Sequence, residues 1–432
     1  SFAEATSTQD KDNGSATHEE NKDRRINLQL FKPFVEATST QDKDNRSTTH
    51  EENKDRKRRH EDFNSRLLGT IVTEEDSDEG EGDEKKELES SDDEEHEIIV
   101  NENFLNFDEA VQPSNSKWKL SNGKLVKNVL SQKTSMLANA FKNRKLDAYT
   151  ASVIRLGLSS IVDLSSEFPN GMRTWFGEEW SSLKQKVQNE INMAPVKFEG
   201  CILESIEKIE KVHYHYWDAR EYLLEQMKNR FATMVYLQTM KIYFTIMDML
   251  LNDPYIFVNE DGKENKLTEM EFVLKAIAPI MDIIFSDVHQ IRLRWGETVS
   301  KTSTACRKID LRIETREKHI ELSHTECSKA PTPAKIVRDR SKILRTNKCV
   351  LDNYLRWDIP DQAVEDSAVF AFQFAVKMCL YYLVLMNSIG LHGQLLAVDL
   401  LDDGLYFGLD GPAFKIPSQL SNIRCIRSII LQ

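Results

Sequence analysis

The amino-acid sequence predicts a mixed α/β, helix-rich fold: a small central sheet flanked by helices, preceded by a long disordered acidic N-terminal tail. Three observations carry that expectation. About the first hundred residues are too polar to bury a core. Two short runs near residues 309–313 and 319–327 alternate apolar and polar side chains as strands do. Around them lie amphipathic or wholly apolar stretches of helical length.

The tail, residues 1–115, is built from a tandem copy and a charge block. Residues 2–24 recur almost letter for letter at 34–56, and the unit holds too few apolar residues to stack as a solenoid. The second copy runs into K-D-R-K-R-R at Lys54–Arg59, which reads either as a nuclear import signal or as charge balance in a solvated tail. An acidic block at 74–97 offers a contact for basic protein partners, or serves as a solubilising linker. The net charge of −13 is concentrated in this tail, whereas Lys and Arg are frequent from Trp118 onward. Global acidity therefore does not exclude nucleic acid as a partner of the folded part. Six scattered cysteines, with no CxxC pair, read as reduced thiols, which places the protein in the nucleus or cytoplasm. No apolar run approaches membrane-spanning length, so no membrane partner is expected.

From Trp118 the pattern changes. W-K-L-S-N-G-K-L-V-K-N-V-L predicts a turn at Asn122-Gly123 followed by a helix. S-S-I-V-D-L-S-S-E-F comes next, then a helix with Trp175, Trp180 and Leu183. Two helical runs are expected at about 199–230 and 231–251, the second apolar nearly all round and hence buried. His213 and His215, two positions apart, face different ways on a helix and are expected to pack rather than share a metal. Asn252-Asp253-Pro254 stops the second run. A helix from about Thr268 to Ser286 opens on a capping box of Thr268 and Glu271 and should kink at Pro279. This divides the chain into a mainly helical region, 116–260, and an α/β core, 261–432.

Within the core, Ile309–Ile313 and His319–Cys327 predict adjacent strands, and Arg338, Lys342 and Arg345 recur at helical spacing on a basic helix. Beyond Pro360 the apolar run predicts a long helix at about Val364–Ser388. Asp402-Asp403-Gly404 between two apolar runs predicts a hairpin, and Pro417 precedes a last helix at 418–431.

The strand pair carries the candidate chemistry. Facing strands can bring Asp310 within a metal ion's reach of a second carboxylate. Glu321 and Glu326 lie an odd number of residues apart, so strand alternation sends them to opposite faces and only one can join Asp310. Two acids and a cation nearby suit Mg²⁺ and phosphodiester hydrolysis. The alternative is a charged sheet edge, in which the acids pair with Arg307, Lys308, Arg312, Arg316 or Lys318. Arg338, Arg340, Lys342 and Arg345 would hold a nucleic-acid backbone through phosphate contacts, or else form a solvated face. There is no GxxxxGK[ST] loop, no HExxH, no GxSxG and no HRD or DFG triplet, which argues against nucleotide hydrolysis, zinc proteolysis and kinase activity.

The order Glu297, Asp310, Glu326-Cys327-Ser328-Lys329 and then a basic helix resembles the PD-(D/E)XK nuclease superfamily. Together with the W-x-L-S-x-G-x-x-V opening at Trp118, it is similar to a group of fungal proteins with a degenerate core of that type, over roughly residues 116–432. The resemblance implies a nuclease-like fold, Asp310, Glu326 and the additional acid Glu297 as Mg²⁺ ligands, and a catalytic lysine. The lysine position holds Ser328, with Lys329 one residue later. Lys329, or Lys342 from the helix, is then expected to stabilise the developing charge. Two functions follow as expectations: a nucleic-acid-binding protein with a metal-dependent nuclease site, or a non-catalytic, effector-like interaction scaffold that keeps the fold.

Overall fold

The computed structural model describes residues 118–140, 147–165, 171–191, 200–212, 215–257, 267–302, 307–328, 332–356, 367–375, 390–402 and 404–430. The tail readings, Lys329 and His213 lie outside the described residues, as does the side chain of Glu297 within its strand.

The described chain opens as its turn chemistry requires. Gly123 adopts φ +79°, which a side chain would resist, and closes the turn between Lys119 and Leu125. Helix α1 (Val126–Ala140) follows. Asp147 caps α2 (Ala148–Leu158) by accepting from the Thr150 N–H at 2.9 Å. Strand β1 (Ile161–Asp163) comes next, then α3 (Arg173–Phe176) and α4 (Glu179–Glu190). The run expected at 199–230 is two helices instead, α5 (Gly200–Val212) and α6 (Tyr216–Met227), because His215 takes non-helical φ −104°, ψ 78°. Helix α7 (Met234–Asn252) is the buried apolar helix, starting at a Thr233 cap.

The capping box forms as expected. The Thr268 Oγ1 accepts from the Glu271 N–H at 3.2 Å while Glu271 accepts from the Thr268 N–H at 2.8 Å. Helix α8 (Glu269–Phe272) then widens into a π-helical stretch, Val273–Ile277, before α9 (Ala278–Ile284). Pro279 explains the widening, since it has no N–H to donate and its ring crowds the carbonyl four residues back. The kink is absorbed just upstream of the proline.

Strands β2 (Ile291–Val299), β3 (Lys308–Thr315) and β4 (Glu321–Ser328) form an antiparallel meander. Helix α10 (Pro333–Leu355) crosses over to β5 (Val369–Ala375), which runs parallel to β4. Over Val369–Ala375 this strand corrects the long helix expected at 364–388, and residues 364–366 and 376–388 of that expectation lie outside the described residues. V-F-A-F-Q-F-A is buried on both faces, and such a continuous apolar run carries no period to distinguish strand from helix. Strands β6 (Gly390–Asp402) and β7 (Leu405–Pro417) form the predicted hairpin, with Gly404 at φ +62°. The expected last helix is instead a 3₁₀ stretch, Leu420–Ile426, and the short α11 (Arg427–Ile430).

The seven strands of the described residues form one mixed sheet, in the order β1-β7-β6-β5-β4-β3-β2. Strand β1 lies parallel to β7, Ile161 opposite Tyr406. The mainly helical region therefore supplies an edge strand to the core's sheet, and one apolar cluster runs from Trp118 to Ile426. Helix α10 covers one face, where Leu344 presses on Gly408 and the Gln373 amide donates to the Ile336 carbonyl at 2.9 Å. The opposite face packs Phe372, Phe374 and Phe414 toward α9 and α11 around an apolar pocket. Among the described residues no helix is long and apolar enough to cross a membrane.

Candidate functional site

The β3–β4 register brings the predicted pair together. Leu311 faces Thr325 and Arg312 faces His324, and continuing that register sets Asp310 opposite Glu326 on the face covered by α10. Asp310 Oδ2 accepts from the Cys327 backbone N–H at 2.8 Å, which fixes the carboxylate across the strand pair. Lys342 donates to Glu326 Oε2 at 2.8 Å. The other oxygen, Glu326 Oε1, is buried without a hydrogen-bond partner, and so is the Ser328 hydroxyl two residues further along the same face. Neither acid is locked to the neighbouring arginines that a charged sheet edge would require.

Thr332 caps α10 by accepting from the Lys335 N–H at 3.1 Å, and Pro333 fits its first turn. The helix then presents Lys335, Asp339 and Lys342 along one side, at the spacing of successive turns. Lys335 forms a 2.9 Å ion pair with Glu269 in the first turn of α8. Glu269, Lys335 and Asp339 thus join the site without having been anticipated; the only sequence signal for Lys335 and Asp339 was the helical spacing in P-A-K-I-V-R-D-R-S-K, and Glu269 lies far from it in sequence, directly after Thr268.

Burial first, and then the neighbouring charges, set the electrostatics. Burial pushes the Asp310 carboxyl up, against the pull of the Cys327 N–H and Lys342. Burial likewise raises Glu326 well above the usual range, with Lys342 opposing and Asp310 adding to the rise. Asp339 is pushed up to about 7 by burial, with Asp310 and Glu269 contributing and the two lysines opposing. The Lys342 ammonium, despite its burial, is held protonated by Glu326. Burial and mutual repulsion thus act in the same direction on Asp310, Glu326 and Asp339.

Two expectations need correction here. Glu321 does not face away from Glu326: Ile313 pairs with Ser323 but Glu314 pairs with Glu321, so Leu322 is an extra residue that returns Glu321 to the same face. There it is engaged structurally, with Arg312 at 2.6 Å, His324 Nε2 at 3.1 Å, and the hydroxyls of Ser300 and Thr302 at 2.9 and 2.8 Å. Against the push of burial, the His324 bond and these donors hold its carboxyl far below the usual range. Arg340 is not a backbone-contacting residue. It is buried, and its guanidinium bridges Asp163 of β1 at 2.7 Å and Asp410 of β7 at 2.6 Å. Arg338, Lys342 and Arg345 remain partly exposed on α10.

Mg²⁺ requires hard oxygen donors, and the orphaned Glu326 Oε1 opposite Asp310 fits that chemistry. Among the described residues no group of three or more His, Cys, Asp or Glu side chains is arranged to hold a metal. The fit is therefore that of a two-carboxylate site completed by water and phosphate oxygens. Compared with protein-family models, curated proteins and solved structures, the chain matches none.

Proposed function

We propose that the chain binds nucleic acid and hydrolyses its phosphodiester bonds in a Mg²⁺-dependent reaction at Asp310, Glu326 and Lys342. One observation carries the reading: a half-buried and a buried carboxylate, Asp310 and Glu326, face each other across paired strands, and one Glu326 oxygen has no hydrogen-bond partner while a lysine holds its twin. Mg²⁺ held by Asp310 and Glu326 would supply Lewis-acid polarisation of the scissile phosphate and an acidified water. The Cys327 N–H keeps Asp310 turned toward the pair. Lys342 takes the place the PD-(D/E)XK pattern gives to the strand lysine, where this chain has Ser328, and its ammonium stabilises charge developing on the phosphate. Because burial raises both carboxyls, metal binding competes with protons, and activity rises with pH.

The test is incubation of the full chain with plasmid, single-stranded DNA and RNA in Mg²⁺ or Mn²⁺, beside Asp310→Asn and Lys342→Ala. Each variant should lose at least about a hundredfold in rate, on the scale of other charge-stabilising groups. Cleavage retained by Asp310→Asn would come from a contaminant and overturn the assignment. The second reading, a binding scaffold without catalysis, rests on the Lys342–Glu326 ion pair, which satisfies half of the carboxylate without a metal. Binding without cleavage by the wild-type chain decides for it.

A further inference from the structure

We infer that the Ser328 hydroxyl is a third protein oxygen for a divalent cation, beside the carboxylates of Asp310 and Glu326. Its role as a ligand rests on the metal reading of that pair, to which it adds a donor that the two acids do not supply.

The placement comes from the strand. Ser328 follows Glu326 by two residues on β4, so alternation puts both side chains on the face that carries Asp310 and is covered by α10. Two residues advance a strand by about 6.6 Å, a gap that the length of a glutamate side chain can close. The residue between them is pinned. The Cys327 N–H donates to Asp310 Oδ2 at 2.8 Å, which ties this end of β4 to the aspartate.

Two oxygens there are left without partners. Lys342 takes Glu326 Oε2 at 2.8 Å, while Oε1 accepts no hydrogen bond. Ser328 is only 4% exposed, and its Oγ has no hydrogen-bond partner either. The neighbours on β5 explain this. Ser328 pairs with Ala375, which has no polar side-chain atom to offer, and Gln373 already gives its amide to the Ile336 carbonyl at 2.9 Å. Other buried hydroxyls nearby are satisfied: Ser323 of β4 donates to the Phe370 carbonyl at 2.5 Å, and Thr346 of α10 to the Lys342 carbonyl at 2.9 Å. Burying a hydroxyl and a carboxylate oxygen side by side without partners is unfavourable unless a third species engages both. A hard divalent cation accepts lone pairs from a hydroxyl and from carboxylates alike, and it needs more oxygens than two acids provide. A water can also bridge two oxygens, so the test has to separate water from metal.

The experiment reads cation binding apart from cleavage. Mn²⁺ is titrated into the full chain without nucleic acid, and the free ion is followed by electron paramagnetic resonance. Ser328→Ala should bind Mn²⁺ at least about tenfold more weakly than wild type, the scale on which even supporting groups act at metal sites. Ser328→Cys should shift the preference from Mn²⁺ toward Cd²⁺ by at least about tenfold in competition, because a sulfur donor favours the softer ion. A hydroxyl that only packs, or only holds a water, would give no such shift. In EDTA, Ser328→Ala should melt no lower than wild type, since it removes a buried hydroxyl that has no partner. Added Mn²⁺ should then raise the wild-type midpoint further than the variant's. Equal Mn²⁺ affinity in wild type and Ser328→Ala, with binding lost in Asp310→Asn, would overturn the Ser328 assignment and leave the carboxylate pair standing. A wild-type chain that binds no Mn²⁺ would overturn both. A Ser328→Ala chain that melts below wild type in EDTA would show that the hydroxyl serves the fold through a bound water, and that too would sink the assignment.

Discussion

Asp339 illustrates what gathering acids around one helix does to a single residue. Its carboxyl titrates near 7 in the folded chain against 3.8 in the unfolded chain. The folded state therefore holds its proton over a range where the unfolded state has lost it, and stability falls as pH rises through that window. Asp339→Asn removes the titration. The variant should be more stable than wild type at neutral pH by about 1–2 kcal/mol, after discounting the full linkage value for solvent screening. The difference should vanish as pH drops toward the unfolded pKa, and urea melts at several pH values would measure it. Equal stabilities at neutral pH would mean that the lysines neutralise Asp339 more fully than the geometry implies. At this scale the sequence was partly legible. Asp310 and Glu326 could be paired because each sits on a short alternating strand, and parity is a local property. Glu321 could not be placed, because the extra residue at Leu322 that reverses its face leaves no mark in composition.

Elements whose ends are set by local chemistry were readable in the same way. The Thr268–Glu271 box, the Asn122-Gly123 turn and the hairpin at Gly404 all form, since each depends on a few adjacent side chains or a positive φ. Strand β5 was misread as helix because its partner strands, not its own period, decide its conformation. The same strand cluster yields a test of packing. Gly393 of β6 lies opposite Phe414 of β7, and a Cβ on Gly393 would stand 2.0 Å from the ring. Phe414 cannot swing clear easily, because it also packs edge-on against Phe374 with centroids 5.7 Å apart. Gly393→Ala should therefore cost about 1–3 kcal/mol by overpacking, read as a lowered midpoint in thermal or urea melts. Gly393→Ala/Phe414→Leu should recover part of that loss. If the double variant were no more stable than the single one, the ring contact would not be the cause.

Across the whole molecule, the division into a helical region and an α/β core gives way to one sheet, and Arg340 shows why no local signal could reveal it. Its partner Asp163 lies 177 residues away in sequence and belongs to β1, while its other partner, Asp410, belongs to β7. The guanidinium thus joins α10 to the two strands where the first half of the chain meets the second. Side-chain exposures of 5%, 10% and 16% leave the triad mostly out of water. Two carboxylates held there without their cation would repel each other and lack hydration. Arg340→Met should accordingly cost about 3–5 kcal/mol, the range for breaking a buried ion pair from one side. Because β1 and β7 share one core with α10, the loss should appear in the single global transition, with helix and strand signals melting together. Asp163→Asn/Arg340→Met/Asp410→Asn removes the stranded charges and should recover much of the stability. A triple variant as unstable as Arg340→Met would show that guanidinium packing, rather than charge, ties the two halves. Separate transitions for helices and sheet would show that the halves fold independently.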